Sequence, residues 1–195
     1  HTLWVFSTSQ LMGTTMHQRY MLPEEFAPIT LYATTTSIMA VNAALPVNTV
    51  PELIAYAKAR PGQLLYGSAG TGTGMHLCME LFSTMTGIKA SHVPYKGAAP
   101  AITALLSDEI QMLFDNGQSA AGHIRGGRLR GLGVAAKQRI AVLQEVPTID
   151  EAGLKGFEGS SWYGFVAPTG TPVAVIEQLN GEIVRLLKTQ EFVSR

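Results

Sequence analysis

The chain has 195 residues, enough for one domain or two small ones with a sizeable core. Its 14 Lys and Arg balance 14 Asp and Glu, and charged residues make up only 14% of the sequence, well under the usual quarter. There is no basic stripe, which argues against a nucleic-acid partner, and no apolar run approaches the roughly 20 residues that span a bilayer.

Thr2–Ser7 is apolar and β-rich and predicts a strand, broken by the polar Ser7–Gln10 loop. Phe26–Asn42 is long, β-branched and uncapped, and reads as one or two strands. Thr49, Pro51 and Glu52 form a capping box with proline near the helix start, opening a helix that runs to about Arg60, where Pro61-Gly62 stops it. Strand Leu64–Tyr66, a glycine loop and a helix to about Thr86 follow. Then come strand Ala90–Tyr95, helix Ala98–Leu106, strand Ile110–Phe114, helix Gln118–Arg125 and strand Leu129–Ala135. Ser161–Ala167 predicts a last strand. Gly170-Thr171-Pro172 caps an amphipathic helix with Val173, Ile176, Leu179, Ile183, Leu186 and Leu187 on one stripe. Strands alternating with helices of this length predict βαβ units and an α/β fold.

Leu64–His76, LLYGSAGTGTGMH, carries the most chemical information. A short apolar run ends in a loop with four glycines, three hydroxyl residues and no charge, and a helical pattern starts at once. Such a loop offers backbone N–H groups and hydroxyls at a helix N-terminus, where about half a positive charge favours an anion. A P-loop would need Lys and Ser or Thr after Gly74, where Met75 and His76 stand, and Gly70, Gly72 and Gly74 give G-x-G-x-G rather than the dinucleotide spacing. The bland alternative is a tight strand-to-helix turn. In open α/β sheets ligands sit beyond the carboxyl ends of the strands. The residues after each predicted strand are therefore the candidates: Ser7, Thr8 and Ser9; Gly67 to Thr73; Pro94, Tyr95, Lys96 and Gly97; Asp115, Asn116 and Gly117. This set is rich in hydroxyls, amides and glycines and suits capture of a small polar anion.

The same segments carry a resemblance. HVPYKGAAPAITALLSDEIQMLFDN (His92–Asn116), VPTIDEAGLKGFEGSSWYGFVAPTGTP (Val146–Pro172), YGSAGTGTGMHLCMELF (Tyr66–Phe82) and FAPITLYATT (Phe26–Thr35) resemble the Bug/TctC family, the extracytoplasmic solute-binding proteins of tripartite tricarboxylate transporters. The resemblance implies a periplasmic-binding-protein fold of the type II-like Venus-flytrap kind, with two α/β lobes joined by crossing strands. It places the second lobe at 41–159 and parts of the first at 1–40 and 160–195. It implies a small carboxylate ligand (a di- or tricarboxylate, amino acid or aromatic acid), membrane permease subunits as partners, a periplasmic location, no cofactor, no direct membrane insertion and no catalysis. By that resemblance Ser68, Gly70, Thr71, Gly72 and Thr73 match the family's second-lobe carboxylate loop, Ser7, Thr8 and Ser9 the loop after the first lobe's third strand, and Tyr95, Lys96, Asp115 and Asn116 segments bordering the cleft. The family's PGGGTD-like opening segment has no counterpart, and the closing residues lie in a helical pattern without the family's last helices. The expectation is a complete second lobe, a first lobe short at both ends, and an export signal upstream.

Bland readings stand beside these. Lys96 is a candidate for a ligand carboxylate, but could equally face solvent or pair with Asp115, whose own role could be structural. Trp162 and Tyr163 could wall a cleft, although an aromatic pair on a strand is more often core. The single cysteine, Cys78, reads as a small core residue. The five histidines, His1, His17, His76, His92 and His123, show no metal-ligand spacing; His76 could touch a ligand, with surface or packing the plainer role. Ser68 has Tyr66 where a nucleophile elbow needs glycine, so no catalytic constellation emerges. Two other classes remain open: the effector domain of a transcription regulator, and a dinucleotide-dependent enzyme using Gly70–Gly74.

Overall fold

The computed structural model describes residues 2–11 and 24–193, and the chain divides into two compact units. The smaller comprises His1–Thr34 and Ser161–Arg195, the larger Thr35–Ser160. His1 and His17 lie outside the described residues. Strand β2, Phe26–Asn42, is a single 17-residue strand that begins in the smaller unit and ends in the larger one.

In the larger unit β2 has antiparallel neighbours on both sides, β5 (Met112–Asn116) and β6 (Leu129–Val134). Strand β3 (Leu65–Ser68) runs parallel to β5 and to β4 (Ser91–Pro94), so the sheet order is β6-β2-β5-β3-β4. The sheet is thus mixed rather than uniformly parallel, because β2 enters from the other unit and runs against its neighbours. Helices α1 (Val50–Lys58), α2 (Gly74–Thr86), α3 (Ala98–Leu106) and α4 (Gly117–Arg125) connect these strands.

Side chains alternate between the two faces of each strand. Met39 and Val41 of β2, Tyr66 of β3, and Met112 and Phe114 of β5 face one core with Val50, Leu53 and Ala57 of α1 and Cys78, Met79 and Phe82 of α2. Ala40 and Leu113 face the other way, toward Ala101, Ala104 and Leu105 of α3. Both faces are covered, which explains why these strands read as apolar runs. Cys78 is buried beneath the Gly159 carbonyl, and burial pushes its thiol pKa up, so it is an inert core residue.

Local signals translate with small shifts. Thr49 accepts the Glu52 N–H at 3.3 Å as the cap of α1, but the Glu52 carboxylate returns to the Asn48 N–H at 2.7 Å, one residue before the capping-box position. Strands β3 and β5 run two residues beyond their predicted ends, taking Gly67, Ser68, Asp115 and Asn116 into the sheet.

In the smaller unit β1 (Trp4–Ser7) pairs antiparallel with β7 (Ser160–Pro168), from Trp4 opposite Val166 to Ser7 opposite Tyr163. The first half of β2 lies on the other side of β7. Residues 8–11 are helical, so the polar break after β1 is a helix start and not an open loop. Phe6 stacks on Trp162 with centroids 6.3 Å apart, and Tyr32 lies 4.7 Å from Phe165. Helix α5 (Val173–Leu187) buries none of its residues, and α6 (Gln190–Val193) follows it. Its cap is Pro172 with no side-chain bond; the Thr171 hydroxyl instead donates back to the Pro168 carbonyl at 2.7 Å.

An aromatic trio closes the first core of the larger unit. Phe157 stacks on Phe114 at 5.7 Å and meets Phe82 edge-on at 5.8 Å. It is fully buried although it lies outside any helix or strand, and so pins the segment leading to β7. Phe157→Ala is expected to lower the unfolding free energy by about 3–5 kcal/mol, as for other buried phenylalanines, measured by urea unfolding followed by circular dichroism.

Candidate functional site

The parallel pairing of β3 with β4 and β5 aligns three carboxyl ends along one edge of the larger unit. Each leads into a helix: β3 through residues 69–73 into α2, β4 through Tyr95–Gly97 into α3, and β5 directly into α4. Three helix N-termini therefore accompany this edge. The sequence candidates Ser68, Gly70, Thr71, Gly72, Thr73, Tyr95, Lys96, Asp115 and Asn116 all lie on these ends and connections. Ser7, Thr8 and Ser9 belong to the smaller unit.

The glycine loop is built from its own hydrogen bonds. Ser68 is fully buried at the end of β3, and its hydroxyl oxygen accepts the Gly70 N–H at 3.1 Å. Thr73 donates through its hydroxyl to the Gly70 carbonyl at 2.7 Å, and its N–H reaches the same oxygen at 3.2 Å. Gly70 and Gly72 hold φ of 130° and 80°, values that L side chains rarely adopt, which is why glycine recurs here. Tyr95 N–H donates to the Ser68 carbonyl at 3.0 Å and ties the β4 end to the loop. Burial and the Glu109 charge raise the Tyr95 pKa, so its hydroxyl stays protonated.

Because the Thr73 side chain turns back to Gly70, it makes no cap on α2. Among the described residues the backbone N–H groups of Thr71, Gly74 and Met75 have no hydrogen-bond partner. No acidic residue stands in the first turn of α2, and Gly97 leaves α3 equally without a side-chain cap. Uncapped amides at helix starts are donors for an anion.

The other candidates divide by role. Asn116 accepts the Gln118 N–H at 3.1 Å and caps α4. Asp115 is 1% exposed and accepts the Ser119 hydroxyl at 2.6 Å. Burial raises its pKa, opposed by the Ser119 bond, the Asn116 backbone N–H and the charge of His123. Lys96 is exposed and forms no ion pair or hydrogen bond among the described residues, with Asp115 or any other partner. In the smaller unit Ser7 bonds the Gln10 side chain and accepts the Ser9 N–H at 3.3 Å, and Thr8 accepts the Trp162 N–H at 3.2 Å. These two hydroxyls secure the turn after β1.

Two residues support the loop directly: His92, given no site role by sequence reasoning, and His76, for which the sequence sets ligand contact against surface or packing. His92 Nε2 lies 2.6 Å from Ser68 Oγ, and the Gly72 N–H donates to His76 Nδ1 at 3.1 Å. Their link is the register Tyr66 opposite His92, which no local pattern reveals. No group of three or more metal-ligating side chains occurs among the described residues, and no described helix is long and apolar enough to cross a membrane.

An α/β unit with a glycine loop and helix N-termini at the carboxyl ends of its parallel strands has the fold of the periplasmic binding proteins. A solved periplasmic transporter superposes with TM-score 0.89 at 33% identity, covering 99% of this chain and 66% of that one. The structure of BugD gives 0.87 at 28%, covering 98% and 65%. The family model described as tripartite tricarboxylate transporter family receptor (TctC) matches residues 5–194, and the chain belongs to that family. A Pseudomonas sp. strain P51 protein from the tcbD-tcbE intergenic region is 37% identical over 196 residues, 99% of this chain and 58% of the relative. BugT of Bordetella pertussis is 32% identical over 174 residues, 89% and 53%. The chain thus spans between half and three-fifths of the length of these curated relatives. A Rhodopseudomonas palustris protein solved with adipate superposes at TM-score 0.84 and 33% identity, covering 98% and 65%; MatC from that organism, solved with malate, gives 0.87 at 26%, covering 98% and 66%.

The state of Asp115 has a measurable consequence. A carboxyl whose folded-state pKa lies above its unfolded value of about 3.9 holds its proton longer in the folded protein. Its contribution to stability therefore declines as pH rises from about 4 through the raised pKa. The unfolding free energy of the wild type minus that of Asp115→Asn should fall between pH 4 and pH 7 in urea titrations. A constant difference would contradict a buried, reluctantly ionised Asp115.

Proposed function

We propose that this chain belongs to an extracytoplasmic receptor that captures a small carboxylate and delivers it to membrane permease subunits. The observation carrying this reading is the uncapped start of α2, where the amides of Thr71, Gly74 and Met75 have no hydrogen-bond partner among the described residues and no acid stands in the first turn. The adipate- and malate-bound relatives support a dicarboxylate over other anions. On this reading a carboxylate is held mainly by backbone N–H groups and the Thr71 hydroxyl, and by the Lys96 ammonium from the neighbouring connection. Capture needs no chemical step: the N–H dipoles supply the complementary charge without a buried arginine. Ser68 and Asn116 shape the backbone around the site, and Asp115 holds the start of α4 through Ser119. Ser7, Thr8 and Ser9 rest on resemblance alone, since the Ser7 and Thr8 hydroxyls serve the smaller unit.

We assign the two lobes of the receptor to residues 41–159 and to 1–40 with 160–195, and its working compartment to the periplasm.

A thermal-shift panel of adipate, malate, citrate, acidic amino acids, aromatic acids and NAD(P) tests the reading. A ligand at 100 times its Kd stabilises by about 2.7 kcal/mol, or about 5–10 °C in Tm for a domain of this size. A shift with a carboxylate class and none with NAD(P) is expected; a shift with nucleotides alone would sink the proposal. Gly72→Ala, which places a side chain at φ 80°, is expected to weaken carboxylate binding about tenfold by isothermal titration calorimetry.

A further inference from the structure

The imidazoles of His76 and His92 stack with centroids 4.1 Å apart, and His92 stacks in turn on Tyr66 at 4.8 Å. The three rings are nearly parallel, at 22° and 16°. Tyr66 donates its hydroxyl to Glu80, whose Oε1 lies 3.9 Å from His76 Nε2. The stack thus gathers residues of β3, β4 and α2 beneath one loop, and touches that loop at both positive-φ glycines. It reaches Gly70 through the Ser68 hydroxyl and Gly72 directly.

The contact to Gly72 is specific to one protonation state. An imidazole nitrogen accepts an N–H only when it carries no proton itself, so His76 Nδ1 must be bare and the ring neutral. A second proton would set an Nδ1–H against the Gly72 N–H, two donors facing each other. We propose that His76 is a positioning residue of the glycine loop, which its neutral imidazole holds in the binding conformation and its protonation releases.

The groups facing His76 set the balance. His76 stands in the first turn of α2, where the helix dipole opposes a cation. His92 stacked on it opposes a second positive charge, and His92 is itself held toward the neutral form by burial and by the charge of His76. Glu80 pulls the other way, but it also accepts the Tyr66 hydroxyl, whose pKa is pushed up by burial and by this same carboxylate. His92 tolerates either role toward Ser68, because that hydroxyl can donate to His92 or to the Gly70 carbonyl 3.1 Å away. The pH-sensitive contact is therefore His76 to Gly72. Its effect on carboxylate affinity rests on the function proposed above; its effect on the loop does not.

Nuclear magnetic resonance on the ligand-free protein tests the loop. The Gly72 amide resonance should titrate with the same midpoint as the His76 ring protons. In His76→Asn, whose Oδ1 can take the place of Nδ1 and gains no proton, that titration should disappear. Calorimetry with adipate, at pH 7.5 and 5.5, tests the consequence. Excluding one proton from the bound state predicts a several-fold loss of wild-type affinity from pH 7.5 to pH 5.5. The ratio should be smaller in His76→Asn, which keeps every other titrating group, His92 and Asp115 included. A Gly72 amide indifferent to His76 protonation, or the same affinity ratio in both proteins, overturns the proposal. If adipate fails to bind at pH 7.5, the adipate assignment fails alone, and the resonance titration still decides the role of His76.

Discussion

The parallel pairing of β3 with β4 and β5 is the constraint on which the chemistry of this chain depends. Parallel strands cannot be joined by a hairpin, so each must be followed by a crossover, and here each crossover is a helix. The pairing therefore sets three helix starts along one edge, of which those of α2 and α3 carry no side-chain cap. A single helix N-terminus is a weak attractor, but several along one edge make a surface that favours negative charge without any formal positive charge. If the proposed capture of a carboxylate holds, such partial charges would favour release, because an arginine clamp would bind more tightly and let go more slowly.

The packing explains how a loop so rich in glycine keeps one shape. Glycine is conformationally permissive and costs entropy to order. The cost is offset by bonds inside the loop, from Ser68 and Thr73 to Gly70, and by the ring stack below it. Beneath the stack lies the aromatic core of Phe82, Phe114 and Phe157, whose close packing leaves the ends of β3 and β5 little room to move. Loop, stack and core thus follow one another in contact, the stack sharing Tyr66 with the core cluster.

The alternation of strands and helices was legible from local cues such as the β-branched run of β2, the Thr49 cap and the Pro61-Gly62 stop after α1. The glycine loop was legible for the same reason, its glycines and hydroxyls being contiguous. The ends of β3 and β5 were not, since Gly67, Ser68, Asp115 and Asn116 look like loop residues and join the sheet only through partners distant in sequence. Ser68 is opposite Pro94, and Asn116 opposite Ser37. The support of the loop by His76 and His92 was hidden too. One lies on a helix and the other on a strand, 16 residues apart, and the β3–β4 register brings them together. The cap of α5 misled because Gly-Thr-Pro has the composition of a helix start, whereas the geometry turns the Thr171 hydroxyl backward.

Trp4 and Trp162 are the chain's two tryptophans, and both lie in the smaller unit, Trp162 stacked on Phe6 and Trp4 edge-on to Phe26 at 5.2 Å. The larger unit, with the glycine loop, contains tyrosines but no indole. Light absorbed near 295 nm therefore excites one unit and leaves the other dark. Intrinsic fluorescence and far-ultraviolet dichroism then become separate gauges, one of the smaller unit and one of the whole chain. Any lag between them on unfolding measures how far the two units depend on each other, without a label being introduced.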